Sequence, residues 1–194
     1  MIRHFTTICK KILERLTDDE IYRESSAGYN HYGKPCPKCG AKGRLSHYGR
    51  YDRWLISRVN NKTHNIRITP LRFECGSCGA THALLPDILT PYSPYSLRFK
   101  LTALIAYYER DTTVTTLCET LEIAVSTIYA WKGLLAAHCG LLLGMLASSL
   151  KPALAFLGSL IGSADLSETL RGFYGRHSFS FMQRACAATR SAPP

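Results

Sequence analysis

Two Cys-x-x-Cys pairs are the residues best placed to do chemistry in this chain. Cys36-Pro37-Lys38-Cys39-Gly40 and Cys75-Gly76-Ser77-Cys78-Gly79 repeat one local pattern, with 35 residues rich in β-formers between Cys39 and Cys75. A tight turn can aim both thiolates of such a pair at one metal, and glycine after the second cysteine suits the positive φ that closes the turn. Four sulfurs fill a tetrahedral shell with no open position. The spacing therefore predicts one structural Zn²⁺ on Cys36, Cys39, Cys75 and Cys78, not a catalytic ion. A thioredoxin-type redox pair would sit alone in a βαβ pattern, which the sequence lacks. Iron or an iron–sulfur cluster also accepts four cysteines and stays open. His31, His47, His64 and His82 could each replace a cysteine as ligand, but beside a complete cysteine set they read as surface or packing histidines. Cys9, Cys118, Cys139 and Cys186 have no partner spacing and read as buried small apolar residues.

The knuckles need a scaffold, and the flanking pattern predicts its kind. From Lys34 to about Pro86 the chain is punctuated by Gly and Pro, carries Tyr48, Trp54, Ile56, Val59, Ile66, Ile68 and Phe73, and shows no helical period. That reads as a small antiparallel sheet, with one strand over 65–74 whose facing changes at Pro70, marking a bulge or an edge. Ahead of it, Ile8, Ile12, Leu13 and Leu16 fall at helical spacing. Pro91-Tyr92-Ser93-Pro94-Tyr95-Ser96 reads as a linker, with a boundary near residue 90. Beyond it Leu97, Leu101, Leu104, Ile105 and Tyr108 form an apolar helical stripe, and everything that follows reads as α. The expected fold is α+β: a helical lead-in over 1–33, an antiparallel β zinc ribbon over 34–90, an all-α helix-turn-helix domain over 91–139, and C-terminal helices with a basic tail over 140–194.

Charge points to the partner class. Lys and Arg outnumber Asp and Glu by 24 to 14, a net charge of +10 that favours polyanions. Eight Lys or Arg residues lie between Lys42 and Arg72 against the single Asp52, and no acidic residue follows Glu168. Arg44, Arg50, Arg53, Arg58, Lys62, Arg67 and Arg72 are candidates to hold phosphates, with Tyr48, Tyr51 and Trp54 between them able to stack on bases or simply to pack. The start Met1-Ile2-Arg3-His4 does not read as a signal peptide, which favours the reducing cytoplasm for eight cysteines. The apolar stretch Leu141–Ile161 is split by Lys151-Pro152 into pieces of roughly ten residues, short of the ~20 a membrane span needs. It reads as two packed helices that could form a homodimer interface. Arg171, Arg176, His177, Arg184 and Arg190 mark the basic tail.

From Thr113 to Lys132, Leu117 and Leu121 share a face, Ile123 falls where a short turn would bury it, and Ile128 and Trp131 return at helical spacing. Two short helices around a tight turn fit this pattern. In that geometry Val125, Ser126, Thr127, Ala130 and Lys132 face DNA, with Tyr129 near a phosphate. The segment Ala-Val-Ser-Thr-Ile-Tyr-Ala-Trp-Lys resembles the recognition helix of bacterial transposases and serine recombinases. The two knuckles, the basic β stretch and the His-Ala-Leu-Leu-Pro run resemble the N-terminal zinc ribbon of insertion-sequence transposases and short bacterial zinc-ribbon proteins of the same layout, over about residues 34–135. That resemblance implies DNA binding and mobile-element ancestry. Three positions depart from it: Glu122 where Gly is usual in the turn, Ala124 where a polar cap is usual, and Ala130 where a base-reading Arg is usual. Fewer than 60 residues follow Cys139, and Asp165 and Glu168 read as a helix start. A nuclease domain with three metal-binding carboxylates is therefore not expected, nor are another enzymatic activity or a small-molecule substrate. The rival expectation is a zinc-ribbon adaptor that binds another protein.

Overall fold

The computed structural model describes residues 1–4, 16–143 and 166–184. The helix expected around Ile8–Leu13, Cys9, Cys186, Asp165, Arg190 and most of the apolar stretch after Leu143 lie outside these. The architecture is an N-terminal β region followed by a cluster of helices, broadly α+β.

The β region contains two sheets. One is four-stranded in the order β1 (Ile2–His4), β6 (Thr81–Pro86), β5 (Leu71–Cys75), β2 (Leu45–Arg50); the other is the hairpin β3 (Arg53–Val59) and β4 (Lys62–Ile68). The larger sheet is mixed, not purely antiparallel, because β1 pairs parallel with β6, Ile2 opposite Leu84 and His4 opposite Pro86. The first residues are thus a strand, and a helix the spacing did not predict, α1, spans Asp18–Ala27. Thr17 and Glu20 form a capping box at its start, the Thr17 N–H donating to Glu20 Oε2 at 2.7 Å. The single strand expected over 65–74 is two strands. Pro70 has no N–H for a ladder and stands between β4 and β5, so the chain leaves one sheet for the other there. The hairpin turns through Asn60 and Asn61, both left-handed with φ 50° and 62°, the two-residue turn that asparagine tolerates.

Three apolar clusters hold these parts. Ile2, Cys36, Leu45, Phe73, Cys75 and Leu84 surround the cysteine site. Ile21 and Tyr22 of α1 pack on Leu55, Ile68, Leu85, Ile88 and Leu89. The third cluster is helical, with α2 (Leu97–Glu109), α3 (Val114–Leu121), α4 (Val125–Leu143) and α5 (Leu166–His177) sharing Leu101, Leu104, Leu121, Ile128, Trp131 and Phe173. Burying each such side chain stabilises the fold by about 1.5–3 kcal/mol. The second helix after the turn is long: α4 runs through Leu141 to Leu143 as one element of 19 residues, so no new helix starts at Leu141.

Residues 91–96 are not a free linker. Their prolines fix extended backbone, and extended backbone can pair: the Ile56 N–H donates to Pro94 O at 2.8 Å and the Ser96 N–H to Ile56 O at 2.9 Å. Ser96 then caps α2, its side chain accepting from the Phe99 N–H at 3.0 Å. The segment ties β3 to the first helix of the helical cluster.

Candidate metal centre and basic surface

Each knuckle is built by the same local bonds. The Cys36 N–H donates to Ala41 O at 3.0 Å and the Gly40 N–H to Cys36 O at 2.9 Å; in the second, Cys75 N–H to Ala80 O is 3.0 Å and Gly79 N–H to Cys75 O is 2.8 Å. Gly40 and Gly79 carry φ 74° and 65°, the left-handed positions that close the turns. The Gly76 N–H donates to Arg44 O at 2.8 Å and joins the second knuckle to the start of β2.

These turns bring four sulfurs together. Cys36 Sγ lies 3.8 Å from Cys78 Sγ and Cys39 Sγ lies 3.7 Å from Cys75 Sγ, with all four within 4.8 Å of one another. A tetrahedral shell with Zn–S near 2.3 Å has S···S edges of about 3.8 Å, so the donor set and its spacing fit a single structural zinc. Burial by itself would raise the Cys36 thiol, but N–H donors of Cys39 and Lys38 and the His82 ring outweigh it and hold the thiol at about 5. Cys75 is lowered too, chiefly by the Ser77 N–H. At Cys39 the Ala41 N–H favours the thiolate, yet the Cys78, Cys36 and Cys75 sulfurs push it up to about 11. Four thiolates this close repel one another, and a dication is what lets all of them ionise together.

His82 has a role its sequence position did not reveal. It is buried on β6, with Nε2 3.3 Å from Cys36 Sγ. A thiolate can only accept, so beside a metal-bound Cys36 the proton sits on Nε2, the outer hydrogen bond that orients a ligand. His82 stands four residues after Cys78, a spacing that could have raised it above the other histidines. Cys118 and Cys139 are buried in the helical core, and burial pushes both thiols up, Cys139 to about 11.

The basic candidates divide between the two sheets. Arg44 and Arg50 lie exposed at the two ends of β2, and Arg72 on β5 donates to Thr81 Oγ1 at 2.9 Å with its guanidinium 5.5 Å from the Tyr48 ring centroid. Arg58, Lys62 and Arg67 are on the hairpin, Lys62 at its tip and Arg67 ion-paired to Asp52 at 2.5 Å. Arg53 is a strut: its Nη2 donates to Thr90 O and Ser93 O, fastening the 91–96 segment to β3.

On α4, Val125, Ser126 and Tyr129 are exposed, Val125 by 41% and Tyr129 by 49%, while Thr127 and Ala130 are half-buried. Lys132 folds back, its Nζ 3.3 Å from Tyr107 Oη and 5.4 Å from that ring's centroid. The turn between α3 and α4 is closed by the Ile123 N–H on Cys118 O at 3.0 Å, with Glu122 left-handed at φ 55° where glycine would be unstrained. Thr63 of the hairpin donates its hydroxyl to Leu121 O at 3.2 Å. The tip of β3–β4 therefore rests against the end of α3, beside the start of α4.

Residues 36–131 match the family model of a domain of unknown function (DUF6431). The matched span starts at Cys36 and ends at Trp131 in the helical core, and takes in both knuckles, the hairpin, the 91–96 segment, α2, α3 and the first turns of α4. No curated protein and no solved structure matches the chain. Among the described residues, no helix is long and apolar enough to cross a membrane.

Proposed function

We propose that this chain binds duplex DNA, with α3 and α4 acting as a helix-turn-helix and the basic hairpin β3–β4 as its phosphate-holding flank. The observation that carries this reading is the Thr63–Leu121 hydrogen bond. It sets Arg58 and Lys62 beside the turn from which Val125, Ser126 and Tyr129 face outward. A helix N-terminus lying in the major groove leaves adjacent backbone phosphates for a neighbouring element to hold. The zinc is structural: it fixes the knuckles from which β2 and β6 spring. The exposed face of α4 offers small and aromatic side chains in place of a base-reading arginine, so affinity comes mainly from phosphates and sequence discrimination is modest. The resemblance to the N-terminal part of insertion-sequence transposases supports a mobile-element origin, with the chain binding DNA as an accessory or regulator and not cutting it.

The test is fluorescence anisotropy of zinc-loaded protein with duplex DNA across a salt series. Affinity should fall with a log–log slope of roughly 0.9 per phosphate held. Ser126→Glu suits a helix N-terminus, so it should leave the fold intact while weakening binding by about tenfold; Lys62→Glu should act the same way. Absence of duplex binding at low salt, or affinity indifferent to both substitutions, would sink the proposal. Salt-insensitive capture of a protein through the exposed apolar side chains of α4 would assign an adaptor role instead.

A further inference from the structure

The hairpin carries a second feature at its other end. A cleft of about 530 Å³ opens between β3, β6 and the 91–96 segment, lined by Tyr51, Trp54, Tyr92 and Pro94 over an Ala83 and Leu85 floor, with Arg53 in its wall. Two of its rings contribute little to packing: Trp54 is 52% exposed and Tyr92 is 68% exposed. Tyr92 also follows Pro91 in a turn with φ 58°, a left-handed position where glycine or asparagine is usual and an aromatic is strained. The chain thus accepts backbone strain to hold an exposed ring at the cleft mouth.

Two guanidiniums and one carboxylate stand around the cleft. Arg67 stands opposite Trp54 on the same hairpin face and is paired with Asp52, and the Arg53 guanidinium is held against the carbonyls of Thr90 and Ser93, so these three groups sum to a single positive charge beside the rings. Aromatic faces within a positive field suit unpaired nucleotides, whose bases stack on any ring and whose phosphates need cations. A proline-rich peptide would use the rings but not the charge.

From Trp54 through Ile56 to Arg58 one strand face runs from the cleft to the hairpin end that meets α3, a span of about 13 Å. We infer that the Trp54–Tyr92 cleft binds single-stranded DNA, holding one unpaired base between the two rings, so that the protein takes a junction of duplex and single strand. This rests on the duplex reading above: the helices hold the paired part and the cleft holds the strand that leaves it.

The experiment compares oligo(dT), a blunt duplex and the same duplex with a single-stranded tail, using labelled DNA and zinc-loaded protein. The tailed duplex should bind best. Trp131 is buried, so stacking on Trp54 should quench the exposed part of the emission from the chain's two tryptophans. Tyr92→Gly relieves the left-handed strain, so the protein should unfold at higher denaturant while binding oligo(dT) about 5- to 100-fold more weakly, with blunt-duplex affinity unchanged. Trp54→Ala should do the same to oligo(dT), and Trp54→Phe should retain most of the affinity. Equal oligo(dT) binding by wild type, Tyr92→Gly and Trp54→Ala overturns the inference and leaves the duplex reading standing. Quenching by a proline-rich peptide but not by oligo(dT) also overturns it. Loss of duplex binding to Ser126→Glu, read separately, decides the other proposal.

Discussion

Lys100 offers the sharpest test of the helical packing. It is 1% exposed on α2, with Nζ 3.4 Å from Met182 O and 5.9 Å from the Trp131 ring centroid, and burial with the facing charges of Arg53 and Arg184 brings it from 10.5 down to about 7. That depression is a penalty of about 5 kcal/mol on the charged form in the folded state. The folded value lies below the unfolded one, so between pH 7 and pH 10.5 the unfolded chain holds more protons and stability rises with pH. The full penalty is felt below pH 7. His138 also packs here, its Nδ1 accepting from the Met182 N–H at 2.9 Å, but burial and then His177 push it down to about 4, outside that window. Lys100→Met removes the penalty and leaves the Met182 carbonyl without its donor, a loss of about 1 kcal/mol. The variant should therefore be about 3 kcal/mol more stable at pH 7, with the difference vanishing near pH 10. Guanidinium unfolding of both zinc-loaded proteins at unit pH steps measures this. Parallel pH profiles, or a variant less stable than wild type at pH 7, would refute the reasoning.

Two further outcomes follow from the metal centre. Total-metal analysis should find one zinc per chain, absent in Cys75→Ser, and chelation should abolish hydrogen-exchange protection across β2, β5 and β6, since structural zinc contributes on the order of 10 kcal/mol to such folds. Gly79→Ala meets no atom within 4 Å, so its cost should be that of the left-handed backbone alone, about 1–2 kcal/mol in urea unfolding; a neutral change would mean the second knuckle is not closed at Gly79.

The parts legible in the sequence are those whose physics is local. Five residues of Cys-x-x-Cys-Gly encode a turn, and two such turns declared the metal site before any fold was known. Helical spacing placed Leu97, Leu101 and Leu104 in the core, and Leu117, Ile128 and Trp131 likewise, because a helix presents its own neighbours to one side. The interrupted facing at Pro70 announced a break, though not that the chain changes sheet there.

What tertiary structure alone decided involves partners far apart in the chain. Ile2 pairs with Leu84, His82 reaches Cys36, Arg53 fastens Thr90 and Ser93, and Thr63 meets Leu121. Composition made residues 91–96 look like a linker because proline forbids helix, but it could not say whether an extended segment would find a strand to pair with. The same limit hid the cleft: Trp54 and Tyr92 are 38 positions apart, and a ring's exposure is set by what packs beside it, not by its neighbours in sequence. Short-range turn and helix geometry is written in spacing, whereas strand pairing and shared surfaces follow from the whole chain's competition for burial and hydrogen bonds.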